Sequence, residues 1–239
     1  MGGSQSRDHS LDAADAASLL EWWLESGVDL AISEEPRDWR RAPAVVAPPL
    51  APAASQEPVE APGDLAAFHA WLSSATGLPL DRGGSRRILP MGGADAPIML
   101  LADLPTQDEA TDSRPIAGDA WALTVRMLQA IGIEPGAAYL ANLACFHAPG
   151  SRIDSSDLER CAVIARDHVR LARPKRLLLL GDAPARAITG QTLANARGHV
   201  HRVEGVRAVA TFHPRWLLQR PSDKALAWKD LLLLMSDEG

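Results

Sequence analysis

Cysteine is scarce: Cys145 and Cys161 are the only two in 239 residues. That excludes a disulfide framework, and it excludes a four-thiolate metal site built by one chain. No apolar run reaches the ~18 residues needed to cross a bilayer, so no membrane partner is expected. The opening Met1 to Ser10 has no apolar segment of the secretory kind, and Gly2 alone is a poor case for myristoylation. A cytoplasmic protein is the expectation. No Gly-x-Gly-x-x-Gly or Walker loop is present, which weighs against an ordinary nucleotide-binding α/β protein. There is no internal repeat.

Excess positive charge is also missing, since the formal net charge is −6. The charge is unevenly placed. Residues 1–63 hold 11 acidic and 4 basic side chains, whereas residues 64–239 hold 19 and 20. The larger part is close to neutral, and a local basic face on it remains compatible with binding phosphates.

The chain divides by composition. Residues 1–41 form an N-terminal segment in which 10–27 read as an amphipathic helix, capped by Ser10 or Asp12 and stopped by Gly27. Leu19, Leu20, Trp22, Trp23 and Leu24 give it an apolar surface that calls for docking, on this chain's own body or on a protein partner. Residues 42–63 contain six prolines and read as an extended linker. The folded domain is expected over 64–239, beginning with a helix from Leu65 to Ser74. Beyond it, apolar strands at 97–102, 138–143, 175–180 and 206–211 alternate with helices at 119–131, 156–172, 183–189 and 223–235. Continuous apolar strands between amphipathic helices predict a three-layer α/β/α fold around a four-stranded, mostly parallel sheet.

Polar residues punctuate the ends of these strands. Asp103 and Glu109 lie in an acidic loop after the first, Asn142 near the end of the second, Gly181-Asp182 after the third, and His213 after the fourth. Parallel strands bring such ends to one rim, where open α/β sheets place their chemistry. Pro214 holds the imidazole of His213 on its loop, and Arg215, Arg220 and Lys224 behind it suggest an anionic ligand. Each residue also has a plain structural reading: Asp103 as a turn cap, Asn142 as a partner for backbone groups, Glu109 as a solvated loop residue, His213 as a satisfied rim histidine. His147, His199 and His201 read as surface or loop residues, and Gly181-Asp182 as the start of a helix.

Taken together, the order of these pieces resembles the uracil-DNA glycosylase superfamily, and within it the iron-sulfur type-4 enzymes. The resemblance runs from about residue 97 to 235. It is carried by Ala96-Pro97-Ile-Met-Leu-Leu, Arg126 to Ile133, Tyr139-Leu-Ala-Asn142-Leu-Ala-Cys145, Leu178 to Ala185, Arg197-Gly198, Thr211-Phe-His213-Pro-Arg-Trp-Leu-Leu218, Arg220-Pro221 with Lys224, and Trp228 to Leu231. It implies an enzyme of DNA repair whose partner is DNA containing uracil or a related deaminated base, and which extrudes that nucleotide and hydrolyses its N-glycosidic bond. By that resemblance His213 stabilises charge on the leaving base, Asn142 reads the base with one donor and one acceptor, and Asp103, helped by Glu109, positions the attacking water. Ile116 would pad the base, Arg215, Arg220 and Lys224 would contact phosphates, and Leu217 or Leu218 would wedge into the base stack.

The chain departs from the family at three places. The first motif, Gly-Glu-Ala-Pro-Gly in the family, reads Ala102-Asp103-Leu104-Pro105-Thr106, with a carboxylate one methylene shorter and Thr106 where a glycine allows positive φ. Ile116 stands where an aromatic ring stacks on uracil. Cys145 and Cys161 match two of the four cluster ligands, but the other two positions fall near Ser74 to Gly77, so no iron-sulfur cluster or other cofactor is expected. The alternative to a glycosylase is a weak or inactive member of the fold acting as a DNA- or protein-binding adaptor.

Overall fold

A computed structural model describes residues 62–81, 86–147 and 153–236. The expected helix at 10–27 and nearly all of the 42–63 linker lie outside the described residues. All described residues belong to one compact unit, Pro58–Gly239.

The chain enters through α1 (Leu65–Ser74), capped by the Asp64 carboxylate, which accepts from Ala67 N–H at 2.8 Å. Strand β1 (Met99–Ala102) leads into α2 (Gln107–Asp112) and α3 (Gly118–Ala130). A 3-10 turn precedes β2 (Tyr139–Asn142), followed by α4 (Ser155–Ala172), β3 (Arg176–Leu180), α5 (Asp182–Thr189) and α6 (Leu193–Ala196). The last part is β4 (Val200–Val203), β5 (Val206–Thr211), α7 (Pro214–Gln219) and α8 (Lys224–Met235). Among the described residues no helix is long and apolar enough to cross a membrane.

The sheet has five strands in the order β2-β1-β3-β5-β4. Four are parallel, as their apolar runs predict. The fifth, β4, pairs antiparallel with β5. Its sequence, Val-His-Arg-Val, is too polar to read as a buried strand. It forms because Glu204 and Gly205, both at positive φ (50° and 80°), make the tight turn that two-residue hairpins need. As an edge strand it is half solvated, so its polar residues are tolerated.

Burial on both faces explains the continuous apolar strands. Met99, Leu101, Leu177 and Leu179 point to a cluster with Phe68, Leu72, Cys161 and Val169 from α1 and α4. Leu100, Ala102, Leu178 and Leu180 point to the opposite cluster with Ala120, Leu128, Leu231 and Leu234 from α3 and α8. Side chains alternate along a strand, so an uninterrupted apolar run feeds two cores at once.

The register sets the functional rim. Ala102 pairs with Asn142 on one side and Leu180 on the other, and Leu180 pairs with Thr211. The first residues past the strand ends, Asp103, Gly181 and Phe212-His213, therefore leave the sheet at one level, next to Asn142.

Candidate active site

His213 caps α7. Its Nδ1 accepts a hydrogen bond from Arg215 N–H at 3.1 Å. A backbone N–H can only donate, so Nδ1 carries no proton and the neutral ring must carry it on Nε2. Among the described residues, that Nε2 is buried without a partner. Burial, with the Arg215 charge beside it, holds the imidazole well below its ordinary pKa. The result is a neutral, fixed N–H donor with nothing to donate to. The expected plain role of a satisfied rim histidine does not apply.

Asn142 is fixed just as firmly, in the complementary sense. Its Nδ2 donates both hydrogens to backbone carbonyls, Asp103 O at 3.1 Å and Pro115 O at 3.0 Å. The two carbonyls also settle which end of the amide is nitrogen. Its Oδ1 is left buried with no partner among the described residues. The amide was expected to offer a donor and an acceptor. The structure commits the donors to the scaffold and offers the acceptor alone.

Asp103 is mostly buried at the end of β1, and its carboxylate accepts from Leu104 N–H at 2.8 Å. Desolvation raises its pKa, partly countered by that hydrogen bond and by Arg215, while Asp182 and Glu109 add to the rise. Gly181, at φ +109°, lies directly against it: a Cβ there would stand 2.7 Å from Asp103 Oδ2. The reading of Gly181-Asp182 as helix-start chemistry alone is corrected, because the missing side chain of Gly181 leaves room for the carboxylate.

Glu109 is not in a solvated loop. It is 1% exposed on α2, a helix that the acidic stretch did not suggest. Its carboxylate accepts from the N–H and the hydroxyl of Thr106 at 2.8 and 3.0 Å, and from Arg215 Nη1 at 2.8 and 2.6 Å. Thr106 consequently has an extended backbone (φ −91°) and serves as N-cap, so no glycine is needed at that position. The Thr-x-x-Glu spacing was the available signal.

Other expected ligand contacts are moved. Arg215 is spent on Glu109 and on the Leu104 carbonyl at 3.3 Å, so it is not a free phosphate ligand. Leu217 is 1% exposed and belongs to the interior, whereas Leu218, at 42%, is the one able to wedge. Ile116 is fully buried in the α3–α8 core and presents no open wall. Its neighbour Pro115 anchors Asn142 instead. Arg220 and Lys224 are exposed. His147, expected to be a surface or loop residue, is tied to the first motif: its Nδ1–H donates to Pro105 O at 2.8 Å.

Two polar atoms orphaned among the described residues, a donor past the end of β5 and an acceptor at the end of β2, thus share one rim with the mostly buried Asp103 carboxylate past the end of β1, which lies between those strands. Over residues 89–232 the sequence matches the model of the Uracil DNA glycosylase superfamily. The chain belongs to this superfamily. It is 23% identical to the type-4 uracil-DNA glycosylase of Pyrobaculum aerophilum over 181 residues, 71% of this chain and 92% of that one. It is 27% identical to the type-4 uracil-DNA glycosylase of Archaeoglobus fulgidus over 142 residues, 55% and 71% of the two chains.

The iron-sulfur cluster of type-4 enzymes does not fit the residues present. Four thiolates are needed for a four-iron cluster, and this glycosylase-family chain has two cysteines in all. Both line one small cavity with Leu72, Leu78 and Ile88. Burial pushes the Cys145 thiol up to about 11 and the Cys161 thiol up to about 12, which favours the protonated form that a metal does not bind. Among the described residues, no group of three or more His, Cys, Asp or Glu is placed to hold a metal ion. Close to residues 74–77, the stretch that matches the other two ligand positions, Arg87 forms a cross-link. Its guanidinium donates to the carbonyls of Leu72 and Ala75 at 2.7 and 2.5 Å, tying the end of α1 to the segment beside Phe146.

Proposed function

We propose that the protein is a monofunctional DNA glycosylase that hydrolyses the N-glycosidic bond of uracil in DNA, the first step of base-excision repair, without a metal cluster. The observation that carries this reading is the pair of orphaned atoms, His213 Nε2–H and Asn142 Oδ1.

The chemistry follows from their polarity. Asn142 Oδ1 would accept from N3–H of an extruded uracil, an atom that in cytosine carries no hydrogen. When the C1′–N1 bond breaks, its electron pair stays with the base, and His213 Nε2–H would donate to the carbonyl oxygen of the base on which the charge gathers. A neutral donor is well suited to a buried site, since it stabilises the leaving anion without first requiring a buried cation. Asp103, when ionised, would orient the water whose oxygen bonds to C1′, and would accept the proton that water releases. Glu109 acts on this centre indirectly, by holding Arg215 and hence the backbone N–H that fixes the tautomer of His213.

Labelled single-stranded oligonucleotides containing one uracil or one cytosine test the reading. Alkali-sensitive strand breaks at uracil and none at cytosine are expected. Tight DNA binding with no breaks at high enzyme excess would favour instead an adaptor that has kept the fold and lost turnover. The altered first motif, with Asp103 held toward its neutral form by burial, is the observation behind that second reading.

A further inference from the structure

Beside His213 runs a stack that the chemistry above does not use. The Arg197 guanidinium lies 4.1 Å from the centroid of the Phe212 ring. Phe212 and Trp216 are stacked, with centroids 6.3 Å apart and planes 11° from parallel. The Arg220 guanidinium lies 4.7 Å from the Trp216 ring. The order is cation, ring, ring, cation.

Two rungs of the ladder are fixed. Arg197 is ion-paired at 2.8 Å to Asp230, a buried carboxylate that also accepts from Thr211 Oγ1 at 2.7 Å. Trp216 Nε1–H donates to Asp223 Oδ2 at 2.8 Å, which sets the plane of the indole. Yet Trp216 remains 40% exposed and Arg220 lies on the surface. Phe212 and Arg220 lie against this ring, so the stacking surface prepared in advance is the last rung, a surface guanidinium backed by an indole locked in one orientation.

We propose that Arg220, backed by Trp216, forms a platform for an unpaired nucleobase flanking the extruded nucleotide. The proposal rests on the glycosylase reading for its register, because Phe212 and Trp216 bracket His213 in sequence. Nucleobases stack on aromatic rings and on guanidinium planes irrespective of their identity. A base within an intact duplex is already stacked on both faces and cannot reach such a surface. Arg220 and Lys224 supply exposed positive charge for the adjoining phosphates, and Asp223, just before Lys224, has its carboxylate engaged with the indole.

Fluorescence anisotropy with uracil-free oligonucleotides tests the platform without requiring turnover. The probes are a labelled single strand, its duplex, and the same strand with abasic sites beside the central nucleotide. The wild-type protein is expected to bind the plain single strand about tenfold more tightly than the abasic one, a typical effect of one stacked base. Trp216→Ala should lose that difference, Trp216→Phe should keep most of it, and duplex affinity should change less than twofold in either variant. Equal affinity of the wild type for plain and abasic strands, or an undiminished preference in Trp216→Ala, would overturn the proposal. Uracil release is measured separately, so a protein that stacks bases but releases no uracil refutes the glycosylase reading and leaves the platform standing.

Discussion

The backbone of Gly181 lies against the carboxylate of Asp103, so closely that a Cβ would meet Oδ2 at 2.7 Å. Two strands thereby share one small space, β3 giving up a side chain so that β1 can keep a carboxylate. Gly181→Ala should therefore act chiefly through Asp103. Activity on uracil is expected to fall about a hundredfold, the usual cost of misplacing a reacting group by about 1 Å. Circular dichroism at 20 °C should still report a folded protein, and DNA binding should persist, which together separate displacement from unfolding.

Arg215 and Glu109 join the two motif loops through a mostly buried ion pair at 2.6 Å. Removing one partner strands the other, at about 3 kcal/mol for a buried pair. Arg215 is partly exposed and can turn toward water, so Glu109→Ala should cost no more than about 3 kcal/mol in urea denaturation. The double variant Glu109→Ala/Arg215→Ala should be less destabilised than the sum of the single ones. Additive losses would show that the pair is not coupled.

Three histidines should make the fold sensitive to acid. His168 is held down to about 3 by burial, with His69 adding to the effect, and burial also lowers His69 and His213. In each case the folded state binds a proton less readily than the unfolded state. Their contribution is fully present above the unfolded value near 6.5 and is lost as pH falls through the folded values. Urea midpoints are expected to be flat from pH 8 to 7 and to decline below about 6.5. The sign is opposite for Asp103, whose folded pKa is raised. Its contribution is present below the unfolded value near 3.8 and lost as pH rises through the folded one, so Asp103→Asn should raise the melting temperature at pH 7 while abolishing turnover.

Arg87 ties the end of α1 to the segment beside Phe146. Arg87→Ala would leave the Leu72 and Ala75 carbonyls without their partner and detach the end of α1. A loss of about 1–3 kcal/mol is expected, measured by urea denaturation. Iron content should stay at background in wild type and variant alike. Four irons per chain would contradict the argument from two protonated thiols.

The strands were legible because each apolar run feeds two cores, and the rim because parallel strands end together. His213 and Asn142 stood out as polar residues at apolar strand ends. What was not legible depended on contacts across the sheet. Nothing near Arg215 in sequence points to Glu109, which is 106 residues away. The role of Gly181 needs Asp103 beside it, and that pairing exists only once β1 and β3 are aligned. Leu217 and Leu218 differ only in which face of α7 they occupy, and the short helix was hidden behind a proline that reads equally well as a strand stop. The edge strand β4 was missed because half-solvated strands carry little apolar signal.

The central claim is that the buried Nε2–H of His213 stabilises the departing base. Single-turnover release of uracil from a single-stranded oligonucleotide, by wild type and by His213→Ala at matched folding, tests it most directly. Measurable release by the wild type is expected, with a rate about 10²–10³-fold lower in the variant, the usual cost of losing one such donor. Release at the same rate by both proteins, or none by the wild type, would contradict it.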